Sequence, residues 1–255
     1  MRYSLLVIFF IVGCGTGSVS PTYTSTAIDI TNAYVETNLP YNFQDVIQGA
    51  VGDCWLVSSI VALALNDQNA LNTVVNSDGQ KYKINIFVGS KWASTVVDSI
   101  DVENSIENGG SMWGDAIEQG VANLNSVLHF LDGESGDSGI TDNVPSAAFT
   151  MLTSLKSTRV VASDPSLWYS LLDKNGTPCV ADTLSNPSES YIIGSHTYTV
   201  IASGLYKGVE AVMLRNPWKS NPVGGIGTPE LQHVGVIVVD LQTFKKNFTD
   251  IEWVE

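Results

Sequence analysis

Positive charge is what this sequence has least of. Lys and Arg together number 12 against 26 Asp and Glu, for a net charge of −14, and only Arg2, Arg159 and Arg215 are arginines. Phosphate binding needs clustered Lys and Arg, so the lack of any basic run excludes nucleic acid as a partner. Long apolar runs are also lacking. The longest near the N-terminus, "LLVIFFIV" (Leu5 to Val12), is too short for a permanent transmembrane helix. No EF-hand loop pattern and no internal repeat occurs. Charged residues make up 15% against 44% hydrophobic, which excludes disorder and leaves a folded chain with ample length for a core. The acidic balance suits solubility first, and attraction of cations second.

The N-terminus carries an export pattern. Met1-Arg2 leads into the apolar run, and small residues follow in "GCGTGSVSP", as in a secretory signal. "IVGC" (Ile11 to Cys14) resembles a bacterial lipobox, whose cysteine is lipidated and becomes the first mature residue; an ordinary signal cut after Gly15 is the alternative. Residues 1–13 are then a lipoprotein-type signal peptide and 14–32 a Ser/Thr-rich tether. The expected location is outside the cytoplasm, on a bacterial membrane through a lipid anchor at Cys14, or otherwise secreted.

Cysteine is scarce too, with three in the chain. With Cys14 assigned to lipid, Cys54 and Cys179 remain, and export permits a disulfide. Cys179, in the strand-like "TPCVADTL", reads instead as a small buried residue. Cys54 is therefore a free thiol, set in "QGAVGDCWLV" where the helical pattern "CWLVSSIVALALND" begins. A helix N-terminus is expected to favour thiolate. Downstream, "KYKINIF" and "KWASTVVDSIDV" read as strands and "GGSMWGDAIEQGVANLNSVLHFL" as a second amphipathic helix. The Gly, Asp and Ser cluster of residues 132–143 places a lobe boundary near 140. Two helical patterns then precede the strands "TPCVADTL", "SHTYTVIASG", "VEAVMLRNP" and "HVGVIVVD", and "LQTFKKNFTDIEW" reads as a short helix and an edge strand. Helices first and strands second is an α+β arrangement.

A nucleophilic thiol needs a base, and histidine is as scarce as cysteine. His129 sits in a helix beside Phe130, and His233 precedes an apolar strand without polar company. His196 opens one strand and Asn216 closes the next, with "GLYKG" between them. Symmetric pairing about Tyr206 sets His196 opposite Asn216, close enough to touch. An Asn carbonyl holding one imidazole nitrogen leaves the other for a nucleophile, which is Cys–His–Asn triad logic. A routine hairpin with an Asn cap before Pro217 remains the bland alternative.

"QGAVGDCWLVSSIVAL", "GSHTYTV" and "LRNPW", in that order, resemble the signature blocks of the calpain family of cysteine proteases. The strands after the cysteine helix, the Trp113 helix and the closing "DLQTFKKNFTDIEW" extend the likeness from about Tyr41 to Trp253. The resemblance implies a papain-like two-lobed core, with residues 33–140 a helical, Cys-bearing lobe and 141–255 an antiparallel β-rich lobe. It casts Cys54 as nucleophile, His196 as general base, Asn216 as orienting residue and Gln48 as oxyanion-hole donor, with Trp218 shielding the His–Asn bond. It also implies calcium, with Asp45 and Glu118 as ligands, although the chemistry itself needs no cofactor. Ser195 and Lys219 depart from the family pattern, and the family's C-terminal β-sandwich and EF-hand domains are expected to be absent.

The expected activity is a calcium-dependent-type cysteine endopeptidase, monomeric, acting on protein or peptide substrates through a thioester. The alternatives are a non-catalytic surface lipoprotein with a protease-like binding fold, and an acyl-transferring or transamidating enzyme that shares the thioester.

Overall fold

The computed structural model of the chain describes residues 26–34, 40–99, 111–131 and 140–254. The signal segment and Cys14 lie outside the described residues. Helix α1 (Cys54–Asn66) is the central element. Every residue from Trp55 to Ala64 is buried, so this helix is covered on all sides. It ends at Asp67, whose side chain accepts from Ala70 N–H and caps α2 (Gln68–Val74). Strands β1 (Val75–Ser77), β2 (Lys81–Val88) and β3 (Lys91–Asp98) follow as an antiparallel meander. Helix α3 (Met112–Leu128) starts at a Ser111 cap and stops where His129 turns left-handed. It packs close on β2 because Gly120 has no side chain: a Cβ there would lie 2.6 Å from that of Ile84. Helix α4 (Pro145–Thr153) adds Ala148, Met151 and Leu152 to the same core, beyond the boundary expected near 140. Its apolar face belongs with α1, so packing rather than loop composition sets where the first lobe ends.

The second lobe is one antiparallel sheet of six strands. These are β4 (Ser157–Val161), β5 (Cys179–Thr183), β6 (Thr197–Tyr206), β7 (Val209–Arg215), β8 (Val236–Asp240) and β9 (Phe248–Val254), in the order β4-β9-β5-β6-β7-β8. Helices α5 (Leu167–Asp173), α6 (Pro229–His233) and α7 (Leu241–Asn247) lie between strands in sequence. The closing strand β9, expected at an edge, is internal, and β4 and β8 are the edges. Asp250 and Glu252 of β9 are both buried, with Arg159 and Ser157 of β4 as their partners. Residues 28–30, within the stretch expected as tether, run beside β6. Ile30 N–H donates to Leu205 O at 3.0 Å, and the Ile30 side chain is buried with Tyr206 and Met213.

The lobes meet where α1 crosses the sheet. Ser58 Oγ donates to Thr197 O, and Thr199 Oγ1 donates to Ser58 O, both at 2.8 Å. Ala62, Phe149, Val180 and Val254 form a small apolar cluster across the junction. Burial of each of the larger three contributes on the order of 1.5–3 kcal/mol. The helix that begins at Cys54 is thus fixed against the strand that follows His196.

Candidate active site

Cys54 is the first residue of α1, at a turn shaped by close packing. Gly52 is required there, since a Cβ would stand 2.6 Å from Thr141 Cγ2, and its carbonyl accepts from Asp142 N–H at 3.0 Å. A cleft of about 310 Å³ is lined by Gln48, Cys54, Asp142, His196 and Trp218, with glycine and small residues between them. His129 and His233 are both exposed and stand outside this lining. Cys179 is buried, free and held well above the usual thiol range by burial.

His196 and Asn216 meet, but not by the expected register. The β6–β7 turn is Lys207–Gly208, with φ of 50° and 84°, which is the two-residue hairpin geometry. Tyr206 therefore pairs with Val209, and a bulge between Val200 and Ala202 shifts the ladder again. Pairing ends at Thr199 opposite Arg215, leaving both site residues just beyond it. His196 Nε2 still lies 2.9 Å from Asn216 Oδ1. The amide's orientation is fixed by its other end, which donates to Ser220 O at 2.8 Å and to Asn221 Oδ1 at 3.0 Å. Oδ1 then accepts from His196 and from Trp218 N–H at 3.0 Å. The proton sits on Nε2, and Nδ1 keeps a lone pair for use as a base. Trp218 covers the imidazole at 4.4 Å between ring centres, and it is itself 40% exposed.

The loop carrying His196 is pinned to the end of β5. His196 N–H donates to Thr183 Oγ1, Thr183 N–H to His196 O, and Ser195 N–H to Leu184 O. Ser195 and Lys219, the two departures from the family pattern, both hold left-handed backbone, with φ of 50° and 54°. That conformation favours glycine. Burial pulls the His196 pKa down to about 4, against the opposing hydrogen bond with Asn216, so the imidazole is neutral near pH 7.

Gln48 is buried, and its main-chain N–H donates to Pro217 O at 2.9 Å. One side-chain N–H goes to Val51 O at 2.7 Å, which leaves the second for the cleft. The reverse amide orientation would set two carbonyl oxygens against each other. Cys54 departs from expectation. Burial pushes its thiol up, outweighing the hydrogen bonds with Thr197, and the charges of Asp182 and Asp53 push the same way. Cys54 Sγ hydrogen-bonds with the Thr197 main chain and with Thr197 Oγ1, the latter at 3.9 Å.

Sequence reading missed Thr197, Asp182 and Arg215 near the site. A lone aspartate inside the apolar "CVADTL" was the available signal for Asp182. Arg215 is wholly buried, donates through Nη2 to Val46 O at 2.6 Å, and is pulled down to about 10 by burial. Asp45 lies exposed on the short 3-10 turn Phe43–Asp45, and Glu118 is half-buried on α3. Val46 packs within 3.5 Å of where a Gly114 Cβ would stand, so the Asp45 turn rests on the helix that carries Glu118. Asp45 and Glu118 are thus hard oxygen donors on touching elements, the donor type that calcium takes. Among the described residues, no group of three or more His, Cys, Asp or Glu could hold a metal.

A model of calpain family cysteine proteases matches residues 29–225. Human (Homo sapiens) calpain-9 is 27% identical over 224 residues, covering 75% of this chain and 31% of calpain-9. The calpain-type cysteine protease DEK1 of Zea mays is 23% identical over 198 residues, 69% of this chain and 9% of DEK1. The human calpain-1 catalytic subunit is 32% identical over 115 residues, 38% of this chain and 16% of that subunit. The chain spans about a third of calpain-9 and less of the other two.

Proposed function

The chain belongs to the calpain family of cysteine proteases, and from that premise we propose that it is a cysteine endopeptidase working through Cys54, His196, Asn216 and Gln48. The observation that carries this reading is the 2.9 Å contact of His196 Nε2 with Asn216 Oδ1, capped by Trp218, in the cleft that Cys54 also lines. His196 Nδ1 takes the thiol proton as Cys54 Sγ attacks the peptide carbonyl carbon. Asn216 holds the ring and stabilises the imidazolium that forms. The free Gln48 N–H and the Cys54 main-chain N–H, which the helix ladder leaves open, stabilise the developing oxyanion. His196 returns the proton to the leaving amine and then activates the water that hydrolyses the thioester.

Asp45 and Glu118 are proposed as calcium ligands in the first lobe, where the ion would stiffen the turn leading to Gln48. Attachment to a bacterial membrane through lipid on Cys14 is proposed from "IVGC". Casein cleavage tests the main reading: wild type cuts, Cys54→Ala does not, and wild-type rates in Cys54→Ala overturn it. Adding EGTA or millimolar-range Ca²⁺ to the same assay tests the ion, and activity unchanged by chelator removes calcium from the account.

A further inference from the structure

The wall of the cleft carries a carboxylate that the peptidase cycle does not use. Apart from Cys54 and His196, Asp142 is the only ionisable group lining the cleft among the described residues. Asp142 is exposed, and its carboxylate enters none of the hydrogen bonds or ion pairs of the described residues. Its backbone, by contrast, is fixed. Asp142 N–H donates to Gly52 O at 3.0 Å, and the residue holds left-handed φ of 56°. Asp and Asn adopt that conformation more readily than other residues with a side chain. The carboxylate leans over Gly52, where a Cβ would stand 3.7 Å from Asp142 Oδ1. Gly52 lies two residues before Cys54, a span of at most about 7 Å. Asp142 thus stands within reach of a long side chain that belongs to a residue near the attacked bond. Asp53 and Asp182 also set negative charge around Cys54, so the local field has the same sign. Lys219, which follows Trp218, stands outside the lining.

We propose that Asp142 is a specificity-determining residue that selects substrates carrying Arg or Lys within two residues of the bond cut. The inference rests on the cysteine endopeptidase reading and names its substrate class. With the carbonyl carbon at Cys54 Sγ and its oxygen toward Gln48, side chains near the bond lie along the segment from Gln48 to Gly52. Gly52 has no Cβ, which leaves that wall open to the Asp142 carboxylate. A cation there meets a carboxylate with no internal partner to displace, and an acidic side chain meets repulsion. Arg is favoured over Lys because its planar fork can pair with both carboxylate oxygens. The net charge of −14 draws basic substrates from a distance, and Asp142 decides which of their bonds enters the site.

The experiment compares kcat/KM of the full chain on peptides that carry Arg, Gln or Glu at one position at a time around the cut bond. Wild type is expected to favour the Arg peptide over its Gln counterpart by about fivefold at one or more of these positions, the size of a good exposed ion pair. Asp142→Asn, which keeps size and tolerates the left-handed backbone, brings that ratio near one. Asp142→Lys turns the preference toward Glu, and the chain already holds Lys207 and Lys219 at φ of 50° and 54°. Ratios on one preparation are insensitive to how much of a variant folds. A wild type indifferent to charge, or an Arg preference that persists in Asp142→Asn, overturns the inference and leaves the endopeptidase in place. A second readout needs no cleavage. Cys54 is modified by a cationic and by an anionic methanethiosulfonate, each forming a disulfide as methanesulfinate leaves, and the rates are read by peptide mass spectrometry. The cation-to-anion rate ratio falls about fivefold in Asp142→Asn. That fall in a protein that cleaves no peptide supports Asp142 as the cation-selecting group and removes the endopeptidase. An unmoved ratio in such a protein overturns both.

Discussion

Arg215 Nη2 donates to the main-chain carbonyl of Val46 at 2.6 Å, joining the residue before Asn216 to the loop that leads to Gln48. A second tie runs the other way, from Gln48 N–H to Pro217 O at 2.9 Å. Asn216 and Gln48 are therefore set by one joint between the lobes.

Replacing Arg215 by Met separates the two roles of this joint. The buried guanidinium has no partner at Nε or Nη1, so losing its charge offsets much of the cost of the freed carbonyls. The net change in stability is expected within about 2 kcal/mol. Activity should fall about tenfold or more, in kcat rather than KM, because Gln48 and Asn216 lose their common reference. Denaturant titration and steady-state kinetics on the same preparation check both halves.

Asn216→Ala leaves Trp218 N–H and His196 Nε2 without their shared acceptor. His196 keeps its place through the bonds to Thr183, so activity should drop by roughly ten- to a hundredfold without vanishing. Kinetics that show wild-type kcat in this variant would remove Asn216 from the site.

Stability against pH carries two opposing contributions. The His196 pKa is depressed to about 4, so its contribution is present above the unfolded value of about 6.5 and is lost as pH falls toward 4. The Asp182 pKa is raised to about 6, so its contribution is present below the unfolded value and is lost as pH rises through 6. Between about pH 4 and about pH 6 the two offset each other. Asp182→Asn removes one of them. That variant should be more stable than wild type above pH 6 and should lose stability steadily on acidification. Thermal melts across this range read the sign directly.

Gly194→Ala tests the packing behind His196. A Cβ at Gly194 would run into the Ser185 carbonyl oxygen, a backbone atom that cannot swing away. Destabilisation of about 1–3 kcal/mol is expected, together with lower activity as the His196 loop moves. An unchanged melt and rate would show that the loop is not held as tightly as its hydrogen bonds imply.

How much of this was legible depended on whether the signal was local. Cys54, His196 and Asn216 could be picked from motif and spacing and Gln48 from the family resemblance; the structure brings Cys54, His196 and Gln48 to one cleft, with Asn216 buried behind His196. The α+β class was likewise readable from helical patterns preceding strands. The hairpin register was not, because a bulge near Ile201 and a left-handed Lys207 leave no periodic trace. Nor was the burial of Asp182, Asp250 and Glu252, since alternating carboxylates on a strand look like a solvated face until Arg159 and Ser157 arrive from far away in sequence. The sign of the Cys54 shift failed for a related reason: a helix N-terminus is visible in sequence, and desolvation is not.

The most direct measurement is the intact mass of the protein quenched in acid during turnover of an activated ester substrate. A covalent thioester on Cys54 is predicted, located by peptide mapping, absent in Cys54→Ala and much slower to form in His196→Ala. Turnover of peptide with no adduct on Cys54, or with the adduct on another residue, would contradict the account.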